Sequence, residues 1–268
     1  MPAYDGESLV KFEAWVRGTL NKPFYAVGPL LPSEYGTAQI SLPIASLGDD
    51  SEIKSFLGSM KLKHGNKSML FISFGTLFWP KVQDQLEDLV DTLIEEQFPF
   101  LLCHAAPSAL LPAALLEKLK ISGIGMASRW APQQSILTHP ATGWFLTHCG
   151  HGGITEALAS GIPMICWPFM GDQPIAAMHL LHNLNVAFHL LQVRTGTGLQ
   201  PLYGGEVPVG TRVAMCAEFK QTLKDCRGEV GNEKRRNAER MRVELASAWV
   251  VGGSSAQAIE EFMATRLT

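Results

Sequence analysis

Short apolar segments alternate with amphipathic segments along the middle of the chain, and this alternation constrains the fold more than any other feature. Six of the segments have the length of a strand and are apolar almost throughout. Because such strands are buried on both faces, they are typical of a parallel sheet covered by helices on both sides. The pattern predicts an α/β fold, a Rossmann-like doubly wound parallel sheet, with strands at 68–76, 98–105, 123–130, 142–148, 163–169 and 185–191.

Helices are predicted between and beyond these strands. The spacing of apolar residues favours helices at 9–20, 82–97, 112–120, 152–160 and 173–184. From Val209 onward the sequence predicts three more helices, and Ser254 is suited to cap the last of them. Residues 33–50 contain Ser, Gly and Pro and show little periodicity, so we place a domain boundary there.

Composition excludes several functional classes. The chain has 268 residues, of which 46% are hydrophobic and 18% charged, which is typical of a soluble globular protein. A net charge of −3 argues against a nucleic-acid surface, which would need a basic stripe. The basic residues of 234–242 alternate with glutamates, so we predict a solvated helix face there and no nucleic-acid partner.

Cysteine usage and hydropathy bear on the compartment. The five cysteines form no C-x-x-C pair and are odd in number, which favours a reduced, cytoplasmic compartment over a disulfide framework. The first residues lack the basic and apolar regions of a signal peptide. Residues 98–116 carry no formal charge but include three prolines, so we predict a strand, a loop and a helix there, not a membrane span.

Three chemically distinctive segments coincide with the ends of predicted strands. Phe-Gly-Thr at 74–76 comes at the end of the first strand, Trp130 ends the third, and His-Cys-Gly-His-Gly-Gly at 148–153 follows the fourth. The carboxyl ends of parallel strands meet at one edge of the sheet, where ligands bind. The sequence therefore predicts one binding site built from these separate segments.

The glycine-rich segment suits an anionic group. Its glycines let backbone amides approach a ligand at the start of a helix, which favours a pyrophosphate, although a tight turn that binds nothing is the alternative. His148 suits a phosphate oxygen and the charge of a leaving nucleotide, or is a satisfied structural residue. Zinc held by His148, Cys149 and His151 is disfavoured because adjacent strand residues point to opposite faces. No metal is expected.

Four further residues suit the rest of a nucleotide that carries a sugar. Glu156 is placed to accept ribose hydroxyls, or is an acid favoured by the helix dipole. Trp130 is suited to stack on a base, or is a core aromatic. Asp172 and Gln173 are suited to hold sugar hydroxyls, or to cap the following helix.

Residues 130–173 resemble the signature segment of the UDP-dependent glycosyltransferases, the family that includes plant secondary-product enzymes. The segment has the family's length of 44 residues, and the likeness extends weakly over residues 20–268, closest to fungal members. The matching elements are W-A-P-Q at 130–133, I-L-x-H at 136–139, G-x-F at 143–145, H-C-G at 148–150, E at 156, G-x-P at 161–163, W-P at 167–168 and D-Q at 172–173.

The resemblance implies the C-terminal, donor-binding half of a GT-B glycosyltransferase. Such enzymes transfer a hexose from a UDP-sugar to an acceptor hydroxyl with inversion, and they need no metal or cofactor. Gln173 favours glucose as the sugar, and the acceptor is a small molecule. The implied UDP-sugar-binding residues are Gly75, Thr76, Trp130, Ala131, Gln133, His148, Gly150, His151, Gly152, Gly153, Glu156, Asp172 and Gln173.

The resemblance also assigns these residues to parts of the donor. Trp130 would stack on uracil, with the backbone of Ala131 and the side chain of Gln133 nearby. His148 and the amides of 150–153 would hold the diphosphate, with help from Thr76. Glu156 would bind the ribose, and the pair 172–173 would bind the sugar.

Two departures from the family pattern affect this expectation. Plant members have W-N-S where this chain has His151, Gly152 and Gly153, so backbone amides alone would hold the phosphates. The N-terminal acceptor domain, which carries the catalytic His-Asp pair, would not fit in the few residues before the donor domain, and no His precedes His64. We expect residues 1–45 to be a remnant of that domain plus linker, 46–250 the UDP-sugar-binding domain and 251–268 a C-terminal helix.

Three interpretations follow for a truncated gene product or fragment of this kind, which would lack the general base. The chain binds UDP-sugar but transfers little by itself, or it completes a transferase with a separate acceptor-domain protein. The apolar residues of the first and last helices favour the second interpretation, since their side chains would otherwise be exposed to solvent. A non-catalytic remnant without a ligand is the third.

Overall fold

Six parallel strands form one sheet in the order β3-β2-β1-β4-β5-β6, as the alternating pattern predicts. The computed structural model describes residues 2–31, 51–202 and 205–266. This order is that of a doubly wound sheet, with a switch of direction between β1 and β4. The strands are shorter than the apolar segments that predicted them: β1 Met69–Ser73, β2 Phe100–Cys103, β3 Gly125–Ser128, β4 Thr142–Thr147, β5 Met164–Cys166 and β6 Ala187–His189.

The helices lie in two layers, one on each face of the sheet. Side chains alternate along β1, so that Phe71 packs into one layer and Leu70 and Ile72 into the other. Helices α2, α6 and α9 supply the first layer, and helices α3, α4 and α8 supply the second. The helices are α1 Pro2–Leu20, α2 Ser51–His64, α3 Gln83–Glu95, α4 Ala113–Ser122, α5 Gln133–Leu137, α6 His151–Ala159, α7 Gln173–Met178, α8 Arg212–Arg227, α9 Glu229–Ser247 and α10 Ser254–Arg266.

Two helices were not predicted from the sequence. Helix α2 buries only Ile53, Leu57 and Met60, a spacing of i, i+4 and i+7 that directly follows the aperiodic residues 33–50. Helix α5 is a single short turn after Trp130, too brief to show a period. The predicted helix at 173–184 is α7 followed by a π-helical turn at His179–Asn183.

The first and last segments of the described chain pack on each other. The hydroxyl of Ser255 accepts a hydrogen bond from the Gly28 amide (3.2 Å) and donates one to the Gly28 carbonyl (2.6 Å). The Trp249 indole donates to the Pro29 carbonyl at 2.7 Å, and Tyr25 lies edge-on to Phe262. The predicted boundary between residues 45 and 46 lies outside the described residues.

The prediction of a solvated basic face at 234–242 was wrong for two residues. Lys234 is only 6% exposed, its Nζ lies 4.8 Å from the centre of the Phe188 ring and it donates to Asn185 Oδ1. Arg235 is half-buried against Trp144. Because α9 packs against both α6 and α8, the charged ends of these cations lie over aromatic rings instead of in water.

Helix length and hydropathy together decide whether a segment can cross a bilayer. Within the described ranges, none of the helices is both long enough and apolar enough to do so.

Candidate functional site

A cleft of about 560 Å³ opens at the carboxyl edge of the sheet, beyond the ends of β1 to β4. Its walls come from the loop after β1, the segment after β3, helix α5 and the start of α6. Elements that are distant in sequence therefore meet here, as the strand order requires. The predicted residues on its lining are Gly75, Thr76, Trp130, Ala131, Gln133, His148, Gly153 and Glu156.

His148 is confined between two glycines at the base of the cleft. A Cβ atom at Gly75 would lie 2.9 Å from Cε1 of the imidazole, and one at Gly150 would collide with Nε2. Gly75 also has φ of +75°, a conformation that side chains disfavour. The chain can therefore place an imidazole in this position only if both neighbours are glycine.

The surroundings of His148 have opposing effects on its pKa. Burial lowers its pKa below the ordinary value, whereas the charge of Asp172 and a backbone hydrogen bond with Ser73 raise it. Its buried Nδ1 has no hydrogen-bond partner among the residues the structure describes. Buried polar atoms are nearly always paired, so the unpaired Nδ1 disfavours the alternative interpretation of His148 as a satisfied structural residue.

The first turn of α6 presents unpaired backbone amides. Its first internal hydrogen bond runs from the Ile154 amide to the Gly150 carbonyl, which leaves the amides of 151–153 without an acceptor in the helix. A Cβ atom at Gly152 would meet nothing within 4 Å, and one at Gly153 would meet only ordinary contacts from 3.5 Å. The helix start therefore faces open space, where a positive helix dipole favours an anion.

Glu156 is held by two neighbouring glutamine side chains. Gln133 Nε2 donates to Oε2 at 2.6 Å, and Gln134 Nε2 donates to Oε1 at 2.9 Å. Glu156 is the sixth residue of α6, beyond the first turn in which the helix dipole acts, so the dipole alternative does not explain it. We did not predict Gln134 from the sequence, although this residue directly follows Gln133 in the signature segment.

Trp130 is a surface residue on the rim of the cleft. Its side chain is 66% exposed, so the interpretation as a core aromatic was wrong. The hydroxyl of Ser128 donates a hydrogen bond to the Trp130 carbonyl at 2.6 Å. This bond restrains the backbone shortly before α5 begins. An exposed indole above a cleft provides a flat apolar face for a planar ligand.

Asp172 and Gln173 do not line the cleft directly. Gln173 is 3% exposed, and its Oε1 accepts the amides of Phe169 (2.9 Å) and Met170 (3.2 Å). Asp172 occupies the N-cap position of α7, but its side chain makes no capping hydrogen bond, so the capping interpretation was wrong for it. Its carboxylate instead acts on His148, whose pKa it raises.

Residues 150–152 also lie outside the lining of the cleft. Gly150 packs against the imidazole ring of His148. His151 is exposed, and the centre of its ring lies 6.3 Å from that of the Tyr4 ring. Tyr4 was not predicted to lie near the site, because it is far from the signature segment in sequence. Burial, followed by the charge of Asp5, raises the pKa of Tyr4 to about 12.

The Cys149 thiol lies in the core, while His151 is exposed, so these two side chains point apart. Across the described part of the chain, no three His, Cys, Asp or Glu side chains come together as a group that could hold a metal ion.

The family model described as UDP-glucoronosyl and UDP-glucosyl transferase matches residues 51–199. The chain belongs to this family. The match covers the sheet from β1 to β6 and every residue that lines the cleft. It confirms the glycosyltransferase family that the signature segment predicts.

Two curated relatives are similar in sequence to this glycosyltransferase chain. UDP-glycosyltransferase eriJ of Hericium erinaceus is 32% identical over 269 residues, which cover 97% of this chain and 53% of that protein. An anthocyanidin 3-O-glucosyltransferase of Zea mays is 34% identical over 179 residues, covering 65% of this chain and 37% of the relative. The chain spans about half the length of the relatives it matches.

Solved glycosyltransferase structures share the fold. Medicago truncatula UGT71G1 complexed with UDP-glucose superposes with a TM-score of 0.71 at 26% identity, covering 98% of this chain and 52% of that one. Os79 from O. sativa, in complex with UDP and deoxynivalenol-3-glucoside, superposes with a TM-score of 0.70 at 25% identity, covering 96% and 52%. These neighbours confirm the predicted GT-B architecture.

Proposed function

We propose that the cleft binds a UDP-sugar and that the chain is the donor-binding part of an inverting hexosyltransferase. The observation that carries the proposal is that Trp130, His148 and Glu156, from three separate elements, line one cleft. The solved neighbours with UDP or UDP-glucose support the choice of nucleotide. UDP-glucose is the donor that we expect.

Each part of the donor has a matching group in the cleft. Uracil stacks on the exposed indole of Trp130, and the ribose hydroxyls donate to Glu156, whose two oxygens are already oriented by glutamines. The diphosphate faces the unpaired amides at the start of α6, beside His148. The hexose then extends past His148 toward Asp172 and Gln173, which lie outside the lining of the cleft.

The reaction that follows is a direct displacement. A general base takes the proton of the acceptor hydroxyl, its oxygen bonds to the anomeric carbon, and the bond from that carbon to the diphosphate oxygen breaks. The electron pair leaves with UDP, and the amides of α6 and the imidazole of His148 stabilise the developing charge. No metal or cofactor takes part. We place the reaction in the cytoplasm, since all five cysteines are unpaired.

The general base and the acceptor pocket belong to an acceptor-binding domain. Its expected docking surface consists of exposed apolar residues on α1 and α10: Phe12, Trp15, Ile259, Phe262 and Met263. A separate protein that supplies this domain is the second candidate function, which these same residues favour.

Calorimetric titration with UDP and UDP-glucose tests donor binding. Trp130→Ala is expected to weaken binding about tenfold or more, because base stacking contributes about 1–3 kcal/mol. The control is Trp15→Ala, which removes an indole that is also exposed but lies outside the cleft. Absence of binding at millimolar UDP, or equal effects of the two variants, would contradict the proposal and favour a remnant without a ligand.

A transfer assay tests the second half of the proposal. The chain alone is expected to bind UDP-glucose but to transfer no glucose to phenolic or alcoholic acceptors. Efficient transfer by the chain alone would place a general base within it, against our interpretation.

A further inference from the structure

A second pocket of about 360 Å³ lies at the opposite, amino-terminal edge of the sheet. It is lined by residues that precede β1 and β2, by the end of α8 and by the first turns of α9. The whole sheet separates it from the cleft at the carboxyl edge. It is therefore a separate pocket that shares no lining residue with the proposed donor site.

The lining of this amino-edge pocket is basic. It includes Lys67, Arg227, Arg235 and His64, and it contains no Asp or Glu. Within the described ranges, none of these residues pairs with a carboxylate. The whole chain has a net charge of −3, so this concentration of unpaired positive charge departs from the average of the surface.

Acidic residues adjacent in sequence are already engaged elsewhere. Asp225 accepts a hydrogen bond from Gln221 at 2.8 Å, and Glu229 pairs with Arg236 at 2.9 Å. Neither carboxylate lies on the lining of the pocket or forms an ion pair with a residue there.

Both arginine side chains are held in fixed orientations. The Arg227 guanidinium lies 4.6 Å from the centre of the Phe98 ring and donates to the carbonyls of Glu96 and Gln97, each at 2.9 Å. Arg235 lies 5.5 Å from the ring of Trp144 and donates to the Gly143 carbonyl at 2.8 Å.

These contacts leave several N–H donors of each guanidinium without an acceptor. A guanidinium has five N–H donors in a planar fork that matches an oxyanion, and the carbonyls take only two from Arg227 and one from Arg235. Burial lowers the pKa of Arg235, which reflects a charge kept out of water without an acidic partner. A bound anion would accept hydrogen bonds from the unused N–H groups and would compensate the buried charge of Arg235.

We propose that the amino-edge pocket binds a phosphate group, either free or as part of a small phosphate ester. Arg235 and Arg227 hold the oxygens with their planar forks, and Lys67 adds a flexible charge at the entrance. The pocket volume is within the range of small-molecule sites.

Titration calorimetry at constant ionic strength, with inorganic phosphate and then glycerol phosphate as probes, tests the proposal. We expect saturable binding at millimolar concentration or better, and Arg235→Gln is expected to weaken it about tenfold, as for loss of a hydrogen bond to a charged group. Tighter binding of glycerol phosphate would identify an ester, and tighter binding of inorganic phosphate would identify the free ion.

Two further variants distinguish binding in this pocket from binding elsewhere on the molecule. Lys67→Met, at an exposed position, is expected to weaken binding without affecting folding, whereas Arg240→Gln, also exposed on α9 but outside the pocket, should have no effect. The titrations are made in the presence of UDP, so that phosphate binding in the donor cleft does not contribute. Absence of saturable binding, or an equal loss in Arg240→Gln, would overturn the proposal.

Discussion

The side-chain amide of Gln134 donates a hydrogen bond of 2.9 Å to Oε1 of Glu156, while Gln133 holds the other oxygen at 2.6 Å. The carboxylate is therefore oriented before a ligand arrives. Orientation in the free protein lowers the entropic cost of binding. In the proposed function, Gln134 would act on the ligand through Glu156, as a positioning residue.

Gln134→Ala is expected to weaken UDP binding by about threefold to tenfold, because it removes a hydrogen bond to a charged group that orients the site. Gln221→Ala is a matched control, since it removes a glutamine bond to Asp225 far from the cleft. Calorimetry on both variants measures the effect. Equal affinities in Gln134→Ala and the parent protein would show that Gln133 alone positions the carboxylate.

The double variant Gly152→Asn with Gly153→Ser is expected to tighten UDP binding by about tenfold to thirtyfold. Both positions have room for a Cβ atom, and the new side chains add hydrogen bonds of about 1 kcal/mol each to the diphosphate. Gly150→Ala is the informative contrast, since its Cβ would displace the ring of His148 and weaken binding. If the double variant bound UDP more weakly, the diphosphate would have to lie elsewhere.

The affinity for UDP should fall as pH rises through the range in which His148 loses its proton. Burial lowers the pKa of His148 in the free protein, and a bound anion raises it, so binding takes up a proton between these two values. His148→Asn should abolish this part of the pH dependence while leaving the titration of UDP itself. Calorimetry in buffers of different ionisation enthalpy counts the protons. No difference in proton uptake between the two proteins would place the diphosphate away from the imidazole.

We expect a second histidine, His189, to lower stability in acid. Burial, then the charges of Arg194 and His182, lowers the pKa of His189 to about 4, and its Nε2 has no partner in the described part of the protein. The unfolded chain takes up a proton near pH 6.5 while the folded chain does not, so stability is lost as pH falls toward 4.

The expected loss from His189 is about 2 kcal/mol on going from about pH 7 to about pH 5. Urea unfolding of the parent protein and of His189→Gln measures it, and the variant should lose less on acidification. His64→Gln, at an exposed position, serves as control. The same acid sensitivity in all three proteins would assign the effect to other groups.

The strands and the cleft could be predicted because they depend on local patterns. Continuous apolar segments can only be buried on both faces, and chemical groups at strand ends must meet at one edge of the sheet. By contrast, Lys234 and Arg235 resemble any surface cluster in sequence, since only the packing of α9 on two other helices decides their burial. Tyr4 and Gln134 were missed because their neighbours in space are set by tertiary packing and not by spacing.

The Ser255 hydroxyl bridges both backbone groups of Gly28, and this clasp links the two ends of the described chain. A protease that severs the final helix would therefore also loosen the peptide that enters the domain, although more than two hundred residues separate them. A deletion that includes Ser255 is, for this molecule, also a change in the backbone surroundings of Gly28.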